Sequence, residues 1–158
     1  MCPVAPWGAA ASLMEKIIVH ATFHAGHRQI GYPGVCRFVH GHTWRGTVAI
    51  ATEEFPRDAR DMSLDFGEIK QVMRSLDHKM LVVASDATLL DPALFDPAGI
   101  VVLKGKGPSV ENVAHHVLNG VVDLIRARYP DRGLVYRIEV TIQETDNNLF
   151  VVEKTATV

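Results

Sequence analysis

Polar and apolar residues alternate along 15–24: Ile17, Val19, Ala21 and Phe23 fall on one side, Ile18, His20, Thr22 and His24 on the other. A two-residue period predicts a half-buried strand. Residues 42–52 repeat the pattern, with Trp44, Val48 and Ile50 on the parity of His40 and His42. The period then lengthens. Ile69, Val72, Met73 and Leu76 recur at helical spacing behind Asp65, a fitting cap, with Glu68 in the first turn. Residues 84–99 read as loop, with Asp91-Pro92 and Asp96-Pro97 as turn signals. Ile100–Leu103 is a short apolar strand or extended segment. Pro108 and Ser109 open a longer helix to about Tyr129, carried by Val113, Val117, Val121, Leu124 and Ile125 and ended by Pro130 and Gly133. Alternation returns over 134–144, where Tyr136, Ile138, Val140 and Ile142 share a face. Asp146-Asn147-Asn148 makes a turn, and Leu149–Thr155 is a last strand.

The order is strand, strand, helix, helix, strand, strand. It predicts an α+β fold: an antiparallel four-stranded sheet with two helices on one face. An open sheet of this kind leaves edges that must be blunted or paired, which points to a homo-oligomer. The expected division is a disordered tail over 1–13, broken by Pro3 and Pro6 and without a basic leader segment, and a single domain over 14–158.

Composition narrows the function classes. Hydrophobic residues make up 47% and charged residues 22%, enough apolar content for a core. The net charge of -2 gives no electrostatic footprint for nucleic acid. No apolar run reaches the roughly 18 residues of a membrane span. Cys2, in the tail, and Cys36 make no disulfide framework, which suits a reducing cytoplasm.

Chemistry concentrates at one place. His20, His24, His27, His40 and His42 crowd into a short stretch. Residues two apart on a strand point the same way, so His40 and His42 project together. With His27 from the preceding turn, three imidazoles can surround one ion and leave a fourth position open, the pattern of a catalytic zinc (Zn2+) site. The bland alternative is a polar pair on a strand surface. Cys36 lies four residues before His40 in a Gly- and Pro-rich loop, a setting in which a rigid sheet positions functional groups. His20 and His24 read as rim or surface residues. His115 and His116, adjacent on a helix, diverge.

Glu144 continues the inward parity of Ile138, Val140 and Ile142, so its carboxylate needs a partner. Two partners are open: a buried Arg or Lys, or a ligand with a guanidine-like N–H edge such as an aminopyrimidinone ring. Asp77-His78 reads either as a polar helix end or as a pair that orients an imidazole towards a reactive thiol. Glu111 reads either as an ordinary acidic residue in a helix's first turn or as a ligand-binding group.

Taken in order, Phe23-x-Ala25-x-His27-Arg28, Cys36-x-x-x-His40-Gly41-His42, Leu64-Asp65-Phe66-Gly67-Glu68-Ile69-Lys70, Leu76-Asp77-His78, Pro108-Ser109-Val110-Glu111-Asn112 and Glu144-Thr145 resemble the 6-pyruvoyltetrahydropterin synthase and 6-carboxytetrahydropterin synthase family. The resemblance spans about 17–145. It implies the tunnelling fold, ββααββ, assembled as a hexamer with active sites between subunits. It implies that His27, His40 and His42 hold zinc, that Cys36, Asp77 and His78 transfer protons, and that Glu144, helped by Glu111, anchors a pterin ring. The implied substrate is 7,8-dihydroneopterin triphosphate. The three-residue gap between Cys36 and His40 resembles the bacterial branch. That branch cleaves the side chain to give 6-carboxy-5,6,7,8-tetrahydropterin, acetaldehyde and triphosphate for queuosine-type 7-deazaguanine synthesis. The other branch keeps the side chain as 6-pyruvoyl-tetrahydropterin. Two departures bear on substrate identity: Thr43-Trp44 follows the His-Gly-His where Asn-Tyr is usual, and Asp146–Phe150 replaces a small and aromatic pattern. Arg28, Lys104 and Lys106 are candidates for the triphosphate, with a solvated surface as the alternative. Two non-enzymatic alternatives are a closed structural zinc that includes Cys36 and a pterin- or purine-binding relative without lyase activity.

Overall fold

Alternation in the first half of the chain produces a long hairpin. In the computed structural model, which describes residues 13–130 and 132–158, β1 (Glu15–His27) pairs antiparallel with β2 (His40–Thr52) without a slip, from Glu15 opposite Thr52 to His27 opposite His40. Inward residues of β1 are buried from Val19 to His27, and outward ones are exposed up to His24. The tail expected over 1–13, with Cys2, lies outside the described residues except for Leu13, which is exposed.

Helix α1 (Phe66–Arg74) begins where Asp65 predicts, and the Asp65 side chain accepts a hydrogen bond of 2.6 Å from the Gly67 N–H. This satisfies one of the free donors of the first turn. The next elements are β3 (Lys79–Val83) and β4 (Ile100–Leu103), then α2 (Val110–Arg128), β5 (Val135–Thr145) and β6 (Asn148–Thr157).

The sheet corrects the expected four antiparallel strands. It has six, in the order β4-β3-β1-β2-β5-β6, and it is mixed: β3 runs parallel to β1, and β4 parallel to β3. The reason is legible in β3. Leu81, Val82 and Val83 are buried in succession, so both faces are covered and the run has no alternation. Covered parallel strands read as continuous apolar runs, and five residues are too few to separate a strand from a buried loop.

The inner face of the sheet and both helices share one core. Phe23, Trp44, Ile50, Tyr136, Ile138 and Ile142 from the strands meet Ile69 and Met73 of α1 and Val113, Val117, Val121 and Ile125 of α2. Each large side chain removed from water contributes roughly 1.5–3 kcal/mol. The core continues to the end of the hairpin, where Phe23 and Trp44 stack with ring centres 6.0 Å apart. Trp44 resolves its own polar atom, donating its indole N–H to the Ala25 carbonyl at 3.1 Å. That rigid floor supports what lies above it.

Candidate metal centre

Register carries the three imidazoles to one spot. His27 ends β1, His40 opens β2 directly opposite, and His42 lies one inward position further along. Their ring centres are 4.6, 4.9 and 5.2 Å apart, and one nitrogen of each lies within 4.8 Å of the others. Trp44 sits beneath, 5.2 Å from His27 and 5.4 Å from His42 between ring centres.

Backbone carbonyls decide which nitrogen faces inward. His27 Nδ1 is 2.7 Å from the Pro108 carbonyl, and His40 Nδ1 is 2.7 Å from the Phe38 carbonyl. A carbonyl only accepts, so each Nδ1 carries the hydrogen and each Nε2 presents a lone pair. Nε2 of His27 and Nε2 of His42 are buried with no hydrogen-bond partner. Burial pushes the His27 imidazolium down to about 4, against a smaller raising effect of the Pro108 carbonyl, and the neighbouring His40 and His42 lower it further. Burial also lowers His42, where Glu144 pulls the other way. Neutral rings with converging, unpartnered lone pairs are the donor set a divalent cation requires. The residues present fit a zinc ion.

Three further side chains of the predicted set border the same cavity, which has a volume near 350 Å³: Cys36, Glu111 and Glu144. Cys36 is a half-buried free thiol in a 3-10 turn over Val35–Arg37. Its carbonyl accepts from the Gln29 N–H at 2.8 Å, which closes the loop across its neck. The thiol stands outside the mutually close imidazole set. Glu111 lies in the first turn of α2, and a hydrogen bond with the Ser109 side chain holds its carboxyl below the usual range. Glu144 points inward from the end of β5. Its Oε1 is 3.5 Å from His27 Nε2 and 3.9 Å from His42 Nε2. Among the described residues no Arg or Lys pairs with it, and its charged neighbours are these two imidazoles.

The sequence profile of 6-pyruvoyl tetrahydropterin synthase matches residues 16–155. The chain belongs to this family. It is 31% identical over 113 residues to 6-carboxy-5,6,7,8-tetrahydropterin synthase of Rickettsia felis, covering 68% of this chain and 80% of that one. Among solved structures it resembles a catalytic-residue variant of 6-pyruvoyltetrahydropterin synthase from Plasmodium vivax, with a TM-score of 0.65 and 19% identity over 90% of this chain and 99% of that one. The Plasmodium falciparum 6-pyruvoyl tetrahydropterin synthase aligns with a TM-score of 0.64 and 16% identity, covering 91% and 99%. The structural likenesses establish a shared tunnelling fold.

Asp77 and His78 follow α1, and His78 lines a different cavity, of about 610 Å³, with His24 and Met80. His42 borders both cavities. Asp77 is firmly placed: it accepts from the His24 N–H at 2.6 Å and lies 3.1 Å from His78 Nδ1. The His24 N–H first, and His78 after it, hold the Asp77 carboxyl below its ordinary value. His78 takes a positive φ of 56°, rare for a residue with a Cβ, and its N–H donates to the His24 carbonyl at 2.7 Å. One chain therefore sets His78 and the Cys36 thiol at separate cavities.

Arg28 is engaged elsewhere. Its guanidinium makes a two-pronged bond with Asp86, at 2.8 and 2.6 Å, and Asp86 is only 3% exposed. Lys104 and Lys106 are exposed, and Lys104 borders a third cavity with His115 and His116. Sequence reading missed three contributors. The Pro108 carbonyl behind His27 is a backbone group with no residue signature. Asp86 lies in a loop with no local pattern. Trp44 was a visible departure, and its role as floor follows from the parity it shares with His42.

Proposed function

We propose that the protein is a zinc-dependent lyase that converts 7,8-dihydroneopterin triphosphate and one water molecule to 6-carboxy-5,6,7,8-tetrahydropterin, acetaldehyde and triphosphate. The observation that carries the reading is the set of unpartnered imidazole nitrogens opening onto a cavity that also holds a thiol and an inward carboxylate. A zinc ion held by His27, His40 and His42 supplies Lewis-acid polarisation of the substrate side chain. Cys36, as thiolate, removes a proton from that side chain. Glu144 receives the N–H edge of the pterin ring by paired hydrogen bonds, assisted by Glu111. His78, oriented by Asp77, accepts and returns protons. Because His78 and the thiol border separate cavities, a second copy of the chain supplies the Asp77–His78 pair, within a hexamer. The exposed edges support this: Val102 on β4 and Leu149 and Val151 on β6 are about half exposed.

That Cys36 stands outside the close imidazole set speaks against a closed structural zinc. The curated relatives carrying the 6-carboxy name favour cleavage of the side chain over its retention as 6-pyruvoyl-tetrahydropterin. The expected setting is the cytoplasm, where the thiol stays reduced and the product feeds 7-deazaguanine synthesis. No helix among the described residues is long and apolar enough to cross a membrane. Mass spectrometry of the pterin after incubation with 7,8-dihydroneopterin triphosphate tests the reading. The 6-carboxy product with acetaldehyde is expected. A 6-pyruvoyl product assigns the other branch, and no triphosphate release leaves a binding protein.

A further inference from the structure

Two histidines of β1 face away from the core, and each meets a threonine directly across the hairpin. His20 stands opposite Thr47, with Nδ1 2.9 Å from the hydroxyl, and His24 stands opposite Thr43 at 3.2 Å. The two cross-strand pairs share their chemistry but not their surroundings. His24 and Thr43 line the 610 Å³ cavity together with His78, and His20 and Thr47 do not. The His24 ring lies edge to face with the His78 ring, with centres 6.2 Å apart and planes at 72°, a favourable arrangement for two aromatic rings. The backbone of His24 grips the same pair: its N–H donates to Asp77 and its carbonyl accepts from the His78 N–H. Those two bonds fix the chain at 77–78 whatever side chain stands at 24. They do not fix the His78 ring, whose side chain is 82% exposed and whose Nδ1 is held by Asp77 at 3.1 Å. A ring tied at one nitrogen can still swing about that tie.

We propose that His24 is a positioning residue for the reaction: its imidazole, steadied by Thr43, holds the His78 ring in the orientation that presents Nε2 to the substrate. This rests on the lyase reading for its chemistry and on the ring contact for its geometry. Asp77 occupies Nδ1, so Nε2 is the nitrogen left to accept and return a proton. Where Nε2 points is then set by a second contact on the ring, and the edge of His24 is in place to give it. Proton transfer needs the two heavy atoms within hydrogen-bond reach, so a ring free to swing spends less time in line. The same contact gives a role to Thr43, one of the departures after the His-Gly-His. Its hydroxyl ties down the ring that in turn braces His78.

The test compares the zinc-loaded protein with His24→Ala, His24→Phe and His20→Ala, each checked for folding by circular dichroism and for equal zinc content. His24→Ala keeps both backbone bonds and removes only the ring. His20→Ala removes the equivalent ring from the pair that lies away from His78. Triphosphate release from 7,8-dihydroneopterin triphosphate gives kcat and KM. His24→Ala should lower kcat on the order of tenfold with KM little changed, His24→Phe, which keeps an aromatic edge beside His78, should recover part of the loss, and His20→Ala should match the unmodified protein. Proton–carbon spectra of the histidine rings, with the His78 signal identified through His78→Gln, need no substrate. There the His78 ring signals should shift and broaden in His24→Ala and stay in place in His20→Ala. Unchanged His78 signals in His24→Ala, an equal fall in kcat for His20→Ala, or a His24→Phe protein no better than His24→Ala each overturn the assignment. An unmodified protein that releases no triphosphate sinks the lyase reading and the catalytic role that rests on it, and the ring spectra then decide whether His24 places His78.

Discussion

At the scale of single residues, burial and backbone carbonyls do the chemistry's preparation. His27 is 1% exposed and its imidazolium is pushed down to about 4 from 6.5. In the metal-free protein the unfolded chain therefore takes up this proton well before the folded one does. The contribution to stability, on the order of 3 kcal/mol, is complete above about pH 6.5 and is lost as pH falls towards 4. Urea unfolding of metal-free protein across that window should show the slope, and His27→Gln should flatten it. Zinc should also be retained to lower pH than a solvent-exposed imidazole allows, because binding needs the neutral ring. His40→Ala removes a ligand outright and should cost on the order of 100-fold or more in zinc affinity, read by chelator competition. Arg28→Ala strands the Asp86 carboxylate. It should lower stability by about 2–3 kcal/mol in thermal or urea unfolding, with no direct effect on substrate affinity if the pair only braces the loop.

At the scale of elements, the long pieces and the short run Ile100–Leu103 were legible, and β3 was not. Strands β1, β2 and β5 each repeat a two-residue period long enough to read, β6 follows the turn signal at Asp146–Asn148, and α1 and α2 each show an apolar stripe behind a capping residue. Asp65→Ala should remove about 1 kcal/mol through the loss of its hydrogen bond to Gly67, measured by urea unfolding. Strand β3 escaped because an apolar run covered on both sides has no period, and the parallel addition of β3 and β4 to β1 depends on crossovers that no local pattern records. The imidazole set was legible because strand parity alone aligns His40 with His42, and hairpin register then places His27 opposite. The separation of Asp77 and His78 from Cys36 was not. It arises from where α1 returns the chain to the sheet, on the far side of β1 from β2.

At the scale of the whole molecule, a working site on the proposed reading needs more than one chain. Mixed assemblies offer a direct check. Cys36→Ala and His78→Ala should each be inactive alone, and co-refolding the two should restore a fraction of turnover if thiol and imidazole meet across an interface; if they meet within one chain, mixing restores nothing. Val151→Lys on the β6 edge should shift the sedimentation profile towards smaller species and abolish activity together with assembly. The hairpin has one more consequence. Because His27 and His40 are fixed by direct pairing at the mouths of β1 and β2, the connecting residues 28–39 supply none of the three imidazoles, and their tie to them is the Phe38 carbonyl that orients His40. Ahead of Phe38 that connector, thiol included, is free to be shortened, lengthened or rewritten while the three imidazoles stay in place. Holding and reacting are thus inherited separately, and a redesign that grafts new chemistry onto this scaffold should begin in that span.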